Sequence, residues 1–117
     1  MRACTLGGMA IAHTGTSLPH GLSYPITTEM GVPHGKAVGI PARLIRNYGN
    51  QEEAMKVLYL LDFGGEQTFC EYIRQLLGEV AISEELWERT MDEVLANPAK
   101  LKNYPFMLDR EKLQGYR

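Results

Sequence analysis

Apolar residues recur at three- and four-residue steps through most of the chain, the spacing that places them on one face of an α-helix. The clearest stripe begins in the segment from Glu66 to Glu79 and ends at Val80, and a second one follows Ser83. No segment alternates apolar and polar residues for long enough to predict a β-strand. The pattern therefore predicts an all-α protein, a bundle of about five to seven helices. The two stripes consist of Phe69, Ile73, Leu76, Leu77 and Val80, and of Trp87, Met91, Val94 and Leu95.

Capping residues and prolines predict where several of these helices begin and end. Asn50, Ser83 and Asp109 each stand where a polar side chain can accept a hydrogen bond from the first turn of a helix. Asn50 is followed three positions later by a glutamate, the spacing of a capping box. Pro41 predicts a kink or a break in the helix that opens at His34.

The first twelve residues combine one arginine, a weakly apolar stretch and a small-x-small ending, a combination also found in signal peptides. Gly7 and Gly8 interrupt that stretch, and its apolar run is short. The preferred interpretation is an internal helix that packs closely through small residues, with export as the alternative. Such a helix begins without capping chemistry, which indicates that further chain precedes it in a parent protein.

Length and composition limit the classes of function. The 117 residues, 44% of them hydrophobic, predict a single helical domain over residues 1–117 and leave no room for a two-domain, nucleotide-dependent enzyme. A net charge of −2 disfavours nucleic-acid binding, and no apolar run approaches the roughly 18 residues of a membrane helix. Cys4 and Cys70 are too few for a disulfide framework. They are interpreted as buried core thiols of a protein in the reducing cytoplasm.

The three histidines, His13, His20 and His34, all lie in the first third of the chain. A Gly-Val-Pro break precedes His34, so the chain folds back and the rings of His20 and His34 can approach each other from different elements. Spacing alone favours ordinary polar histidines over metal ligands, because there is no short His-x-x-x-His pair.

The residues on either side of His34 make a metal ligand at this position more favoured than the spacing alone does. Pro33 fixes one backbone angle and Gly35 permits close approach, so the imidazole is presented at a rigid turn that opens a helix. The positive end of a helix dipole disfavours protonation and leaves the neutral ring that a metal needs. The alternative is a tight turn whose middle residue is solvated.

Three segments close to these histidines have a recognisable pattern: GMAIAHTG at 8–15, LPHGLSYP at 18–25 and GVPHGKA at 31–37. Together with the tail at 97–109, they resemble the iron-containing (group III) alcohol dehydrogenase family. The resemblance implies an all-helical, metal-holding C-terminal domain, which in that family follows an α/β domain that binds NAD or NADP.

The resemblance also implies a metal site. Family members hold a divalent metal, commonly Fe²⁺ and in some members Zn²⁺, with one aspartate and three histidines. The last two histidines are spaced as His20 and His34 are here, so these two residues are the implied ligands. The implied substrate is a small alcohol or aldehyde, which the metal polarises as a Lewis acid while hydride passes to or from nicotinamide.

Departures from the family pattern limit what can be transferred. The aspartate, the first histidine and the glycine-rich nucleotide segment have no counterpart in this chain. Tyr24 stands where several members have a proton-relaying histidine, and a phenol is a poorer relay although it donates a hydrogen bond. The alternative for Tyr24 is an aromatic residue at the rim of the core, and His13 is interpreted as a polar residue at a helix end.

Two functional hypotheses follow from the sequence. The first is the metal-holding domain of an NAD(P)-linked alcohol dehydrogenase, inactive alone. Its two imidazoles bind metal weakly, or are completed by water, a neighbouring chain or an acid such as Glu29. The second is a helical structural module that forms a homo-oligomer through apolar surface and has no enzymatic function.

Overall fold

The computed structural model describes residues 2–115, with the backbone alone at positions 42–44 and 47. Within that range every regular element is helical, so the predicted all-α fold class is confirmed. The α-helices are α1 (Arg2–Thr14), α2 (Leu18–Met30), α3 (His34–Gly39), α4 (Gln51–Leu60), α5 (Glu66–Leu77), α6 (Glu84–Leu95), α7 (Pro98–Leu101) and α8 (Arg110–Gln114), with a 3₁₀ helix at Ile40–Asn47.

The number of helices in the described range exceeds the prediction for two physical reasons. Pro41 splits the helix that opens at His34, because a proline lacks the amide hydrogen that an α-helix needs and the chain continues as a 3₁₀ helix. α7 is a single turn, too short to show a periodic pattern, and the similarly short α8 was indicated only by its cap at Asp109.

The three predicted N-caps are confirmed. The side chains of Asn50, Ser83 and Asp109 accept hydrogen bonds from backbone amides three residues later, at 3.1, 3.2 and 2.8 Å. The reciprocal half of the capping box is not formed. The Glu53 carboxylate instead accepts a hydrogen bond from the Tyr48 hydroxyl at 3.3 Å, and burial together with this carboxylate raises the pKa of Tyr48.

The core lies between α2 and α6. α2 buries residues at a four-residue spacing, and α6 buries the predicted face around Trp87. α8 adds Leu113, which is fully buried. These contacts fix α2 firmly and thereby position the side chains on its other face. The central residues are Leu18, Leu22, Ile26, Trp87, Met91 and Val94.

The predicted stripe of α5 is only half-buried. No residue of this helix is fully buried, and Leu76 is 64% exposed. α5 packs mainly on the 3₁₀ helix at Ile40–Asn47, a short element that covers only part of the stripe. The periodicity predicted the helix correctly but not the depth of its burial.

The prediction that the first helix, α1, packs closely through its small residues is wrong. All its residues are exposed, Leu6 by 66%, and a Cβ added at Gly7 or Gly8 meets no atom within 4 Å. The helix therefore does not pack through its small residues in this structure.

The predicted burial of the two cysteines is also wrong. Cys4 is exposed and Cys70 is half-buried, so neither is the buried core thiol that the sequence predicted.

No helix in the part of the chain described here is both long and apolar enough to span a bilayer.

Candidate metal centre

One face of α2 presents three polar side chains, His20, Tyr24 and Thr27. Their spacing of four and then three residues places them one above another on the helix. The helix begins at the N-cap Ser17, whose carbonyl oxygen accepts the His20 amide at 3.1 Å. Because the opposite face of α2 is buried in the core, the row faces outward in a fixed orientation.

A tight turn brings His34 back to this row. Gly31 ends α2 in the left-handed conformation, with φ of 66°, and Pro33 is the N-cap of α3. His34 is therefore the first residue of α3, and its ring centroid lies 5.5 Å from that of His20 with an interplanar angle of 60°. The predicted approach of the two rings is confirmed.

Tyr24 belongs to the same cluster. Its ring stacks on that of His34, with 5.6 Å between centroids and an interplanar angle of 21°. The side chain is 42% exposed, so Tyr24 lies at the surface beside the imidazoles.

Thr27 contacts the His34 ring. Its Oγ1 lies 3.4 Å from Nδ1 of His34. A hydrogen bond at one ring nitrogen orients an imidazole, and when Nδ1 donates its hydrogen to the hydroxyl oxygen, Nε2 is left for a metal. Nε2 is thus the nitrogen of His34 suited to bind one.

Lys100 of α7 completes the cluster. Its Nζ lies 4.4 Å from the centroid of the Tyr24 ring and 3.5 Å from the Tyr24 hydroxyl oxygen. Partial burial, followed by the charges of His34 and Lys100, lowers the pKa of His20 below 6.5. This shift favours the neutral form of His20, the form that binds metal.

The donor chemistry of His20 and His34 fits a divalent metal such as Fe²⁺ or Zn²⁺. Two imidazoles that bind one ion at about 2.1 Å with a roughly tetrahedral angle have ring centroids about 5 Å apart, close to the separation observed. The set is incomplete, because residues 2–115 contain no group of three or more histidine, cysteine or acidic side chains able to hold an ion. Glu29, the acid considered as a third ligand, pairs with Arg89.

His13 is not part of this cluster. It lies exposed in the last turn of α1, as predicted for a polar residue at a helix end. Two members of the cluster, Thr27 and Lys100, were not identified from the sequence. The spacing of Thr27 from His20 and Tyr24 offers a signal for the first, whereas the approach of Lys100 depends on the tertiary packing of α7.

Comparison with known proteins identifies the family. The model of the C-terminal region of the Fe-containing alcohol dehydrogenase family matches residues 1–104. The chain belongs to this family. The resemblance noted in the sequence is therefore confirmed, and the helical fold described above corresponds to the C-terminal domain of this family.

A solved structure agrees with this assignment. The crystal structure of the iron-containing alcohol dehydrogenase of Thermotoga maritima is similar, with a TM-score of 0.75 and 34% sequence identity. The similarity covers 95% of this chain and 31% of that protein, so the chain spans less than a third of its structural relative. A search of curated proteins found no match.

Proposed function

We propose that this domain is the metal-holding part of an NAD(P)-linked alcohol dehydrogenase, with His20 and His34 as two of the ligands of Fe²⁺ or Zn²⁺. The main support is the approach of the two rings. They lie fourteen positions apart in the sequence and come within 5.5 Å inside a segment that matches the family. A left-handed glycine and a proline build the turn that brings them together.

Each residue of the cluster has a distinct proposed role. When bound, the metal supplies a Lewis acid that polarises the oxygen of a small alcohol or aldehyde, and NAD or NADP exchanges the hydride. His20 and His34 provide neutral imidazoles, and Thr27 orients the second of them. Tyr24 is the proposed catalytic residue, because its phenol can donate a hydrogen bond to a substrate oxygen beside the rings.

We propose that the 117-residue chain alone does not turn over substrate. Catalytic metal sites usually have three protein ligands and an open position, and His20 and His34 supply two. The missing ligand and the nucleotide site would come from outside the described residues. We also propose a cytoplasmic location, since Cys4 and Cys70, both within the described range, are not joined to each other.

A zinc titration of the purified chain tests the metal site. Isothermal titration calorimetry should show one Zn²⁺ per chain, and His20→Ala or His34→Ala should abolish the binding. His13→Ala is the matched control, because it removes an exposed histidine outside the cluster. Tyr24→Phe should leave the stoichiometry unchanged, since the tyrosine is not proposed as a ligand. Binding that survives both cluster substitutions would refute the proposed site.

A separate assay tests the inactivity of the chain alone. The purified chain, loaded with Fe²⁺ or Zn²⁺ and supplied with NAD or NADP and a simple alcohol, should form no NAD(P)H above background. Steady turnover would show that the chain is complete as an enzyme and would contradict this part of the proposal.

The second candidate function is self-association into a homo-oligomer. It is favoured by the apolar side chains that α1 and α4 leave exposed, among them Leu6 at 66%, Tyr59 at 82% and Leu60 at 81%. Sedimentation velocity at several protein concentrations tests it. Association that depends on protein concentration, together with no binding of zinc, would favour the self-associating helical module over the metal-holding domain.

A further inference from the structure

The ammonium group of Lys100 lies beside the histidine cluster without a carboxylate partner. Among the described residues, no acidic oxygen lies within 4.0 Å of its Nζ, so no ion pair occupies this ammonium group. Its neighbours are the ring and hydroxyl of Tyr24. A ring face attracts the cation but does not neutralise its charge.

The stem of Lys100 is held in place by packing. A Cβ added at Gly21 of α2 would lie 3.4 Å from Cβ and 3.6 Å from Cγ of Lys100, so the absence of a side chain at Gly21 lets the stem lie close to α2. α7 is itself capped, because the Asn97 side chain accepts the Ala99 amide at 3.2 Å. A packed stem has already lost much of the freedom that a lysine gives up on binding a ligand.

The charge also lies at a useful distance from the imidazoles. The Tyr24 ring is the neighbour that the two groups share, because its centroid is 4.4 Å from Nζ of Lys100 and 5.6 Å from the centroid of the His34 ring. The side chains of this cluster are His20, Tyr24, Thr27, His34 and Lys100, and none of them is an acid. A small molecule with one end at the imidazoles therefore has its other end within reach of an ammonium group.

We propose that Lys100 determines substrate specificity by binding the carboxylate of a small hydroxy acid or aldehyde acid whose reacting end lies at His20 and His34. This inference rests on the proposed function, because it takes the imidazole pair as the reaction centre. It adds a substrate class: alcohols or aldehydes that also bear an anionic group. An exposed ion pair of this kind favours the acid over a neutral diol of equal length by about two- to fivefold.

The test compares glycolate with ethylene glycol, which have equal carbon number and differ in the carboxylate. Both are titrated into the metal-free full chain and followed by ¹H–¹⁵N NMR. Glycolate should shift the signals of His20, Tyr24 and Lys100 with an affinity about two- to fivefold higher than that of ethylene glycol. Lys100→Met keeps the packed stem, removes the charge and should abolish this difference, whereas Lys100→Arg should retain it.

Lys102→Met is the matched control for net charge, because Lys102 lies near Gly15 at the end of α1 rather than at the imidazoles. It should leave the preference for glycolate intact. Equal affinities for the two probes, or a preference unaffected by Lys100→Met, would overturn the inference. Since these titrations need no metal, their outcome is separate from the zinc titration that decides the proposed metal site.

Discussion

The hydroxyl of Thr27 lies 3.4 Å from Nδ1 of His34, and this contact joins the last turn of α2 to the first residue of α3. A hydrogen bond at the far nitrogen of a metal-binding imidazole holds the ring in its orientation. Thr27→Val keeps the shape of the side chain and removes the hydroxyl. We therefore expect the zinc affinity to fall about tenfold, the lower end of the range for such contacts, since this one is long and exposed.

Thr28→Val is the control for this prediction. The Thr28 hydroxyl donates to the backbone oxygen of Tyr24 at 3.0 Å, so its loss should leave the zinc affinity within about twofold of the unmodified chain. Calorimetry on both variants makes the comparison. An equal loss in the two variants would show that the hydroxyl at position 27 acts on the helix and not on the His34 ring.

The pKa of His20 supplies a prediction about pH. It is lowered below 6.5 by partial burial first, then by the charges of His34 and Lys100. In Lys100→Met it should rise but stay below 6.5, because burial remains the main cause. NMR titration of the imidazole in the metal-free chain measures both values, with Lys102→Met as the control that leaves His20 unchanged.

The direction of the effect on stability follows from the same pKa. The unfolded chain takes up a proton at His20 near pH 6.5, and the folded chain takes it up only at lower pH. The contribution of His20 to stability is therefore fully present above pH 6.5 and is lost as the pH falls toward the folded pKa. A contribution from His20 that grows on acidification over that interval would contradict the lowered pKa.

Two leucines distinguish the core from the exposed helix. Leu22 of α2 is fully buried, whereas Leu6 of α1 is 66% exposed. Leu22→Ala should lower the free energy of unfolding by about 2–5 kcal/mol, because it leaves a cavity against α6. Leu6→Ala should change it by no more than about 0.5 kcal/mol. Urea unfolding followed by the fluorescence of Trp87, the single tryptophan, measures both, and equal losses would place α1 in the core.

The sequence predicted the elements of this domain better than their burial. The caps at Asn50, Ser83 and Asp109 are local chemistry, since each depends on backbone amides only three residues away. The exposure of Leu76 and Cys4 depends on which element covers them, and periodicity contains no such information. A stripe predicts a face that can be buried, not the surface that buries it.

The same distinction between local chemistry and tertiary packing applies to the cluster around the histidines. The break before His34 indicated that the chain turns back, so the approach to His20 was predictable from local chemistry. Lys100 reaches Tyr24 from 76 positions away, through the packing of α7 on α2. Thr27 is intermediate, because its helical spacing was visible but its contact with Nδ1 depends on the angle between α2 and α3.

The turn that joins the two histidines provides the last prediction. Gly31 has φ of 66° and open space around the position of a Cβ, so a side chain there is opposed by the backbone conformation alone. Gly31→Ala should lower the free energy of unfolding by about 1–2 kcal/mol and weaken zinc binding, because the strain falls on the turn that presents His34. Gly31→Asn should restore part of the stability and part of the zinc affinity, since asparagine tolerates the left-handed conformation better than alanine does.

Gly35 gives the opposite expectation only four positions away. It lies within α3, also with open space around a Cβ and without a positive φ, so Gly35→Ala should raise the free energy of unfolding by about 0.5–1 kcal/mol. Urea unfolding and zinc calorimetry on Gly31→Ala, Gly31→Asn and Gly35→Ala test the predictions for both glycines. If alanine changed stability and zinc affinity equally at both glycines, the left-handed conformation of Gly31 would have no special part in holding His34 against His20.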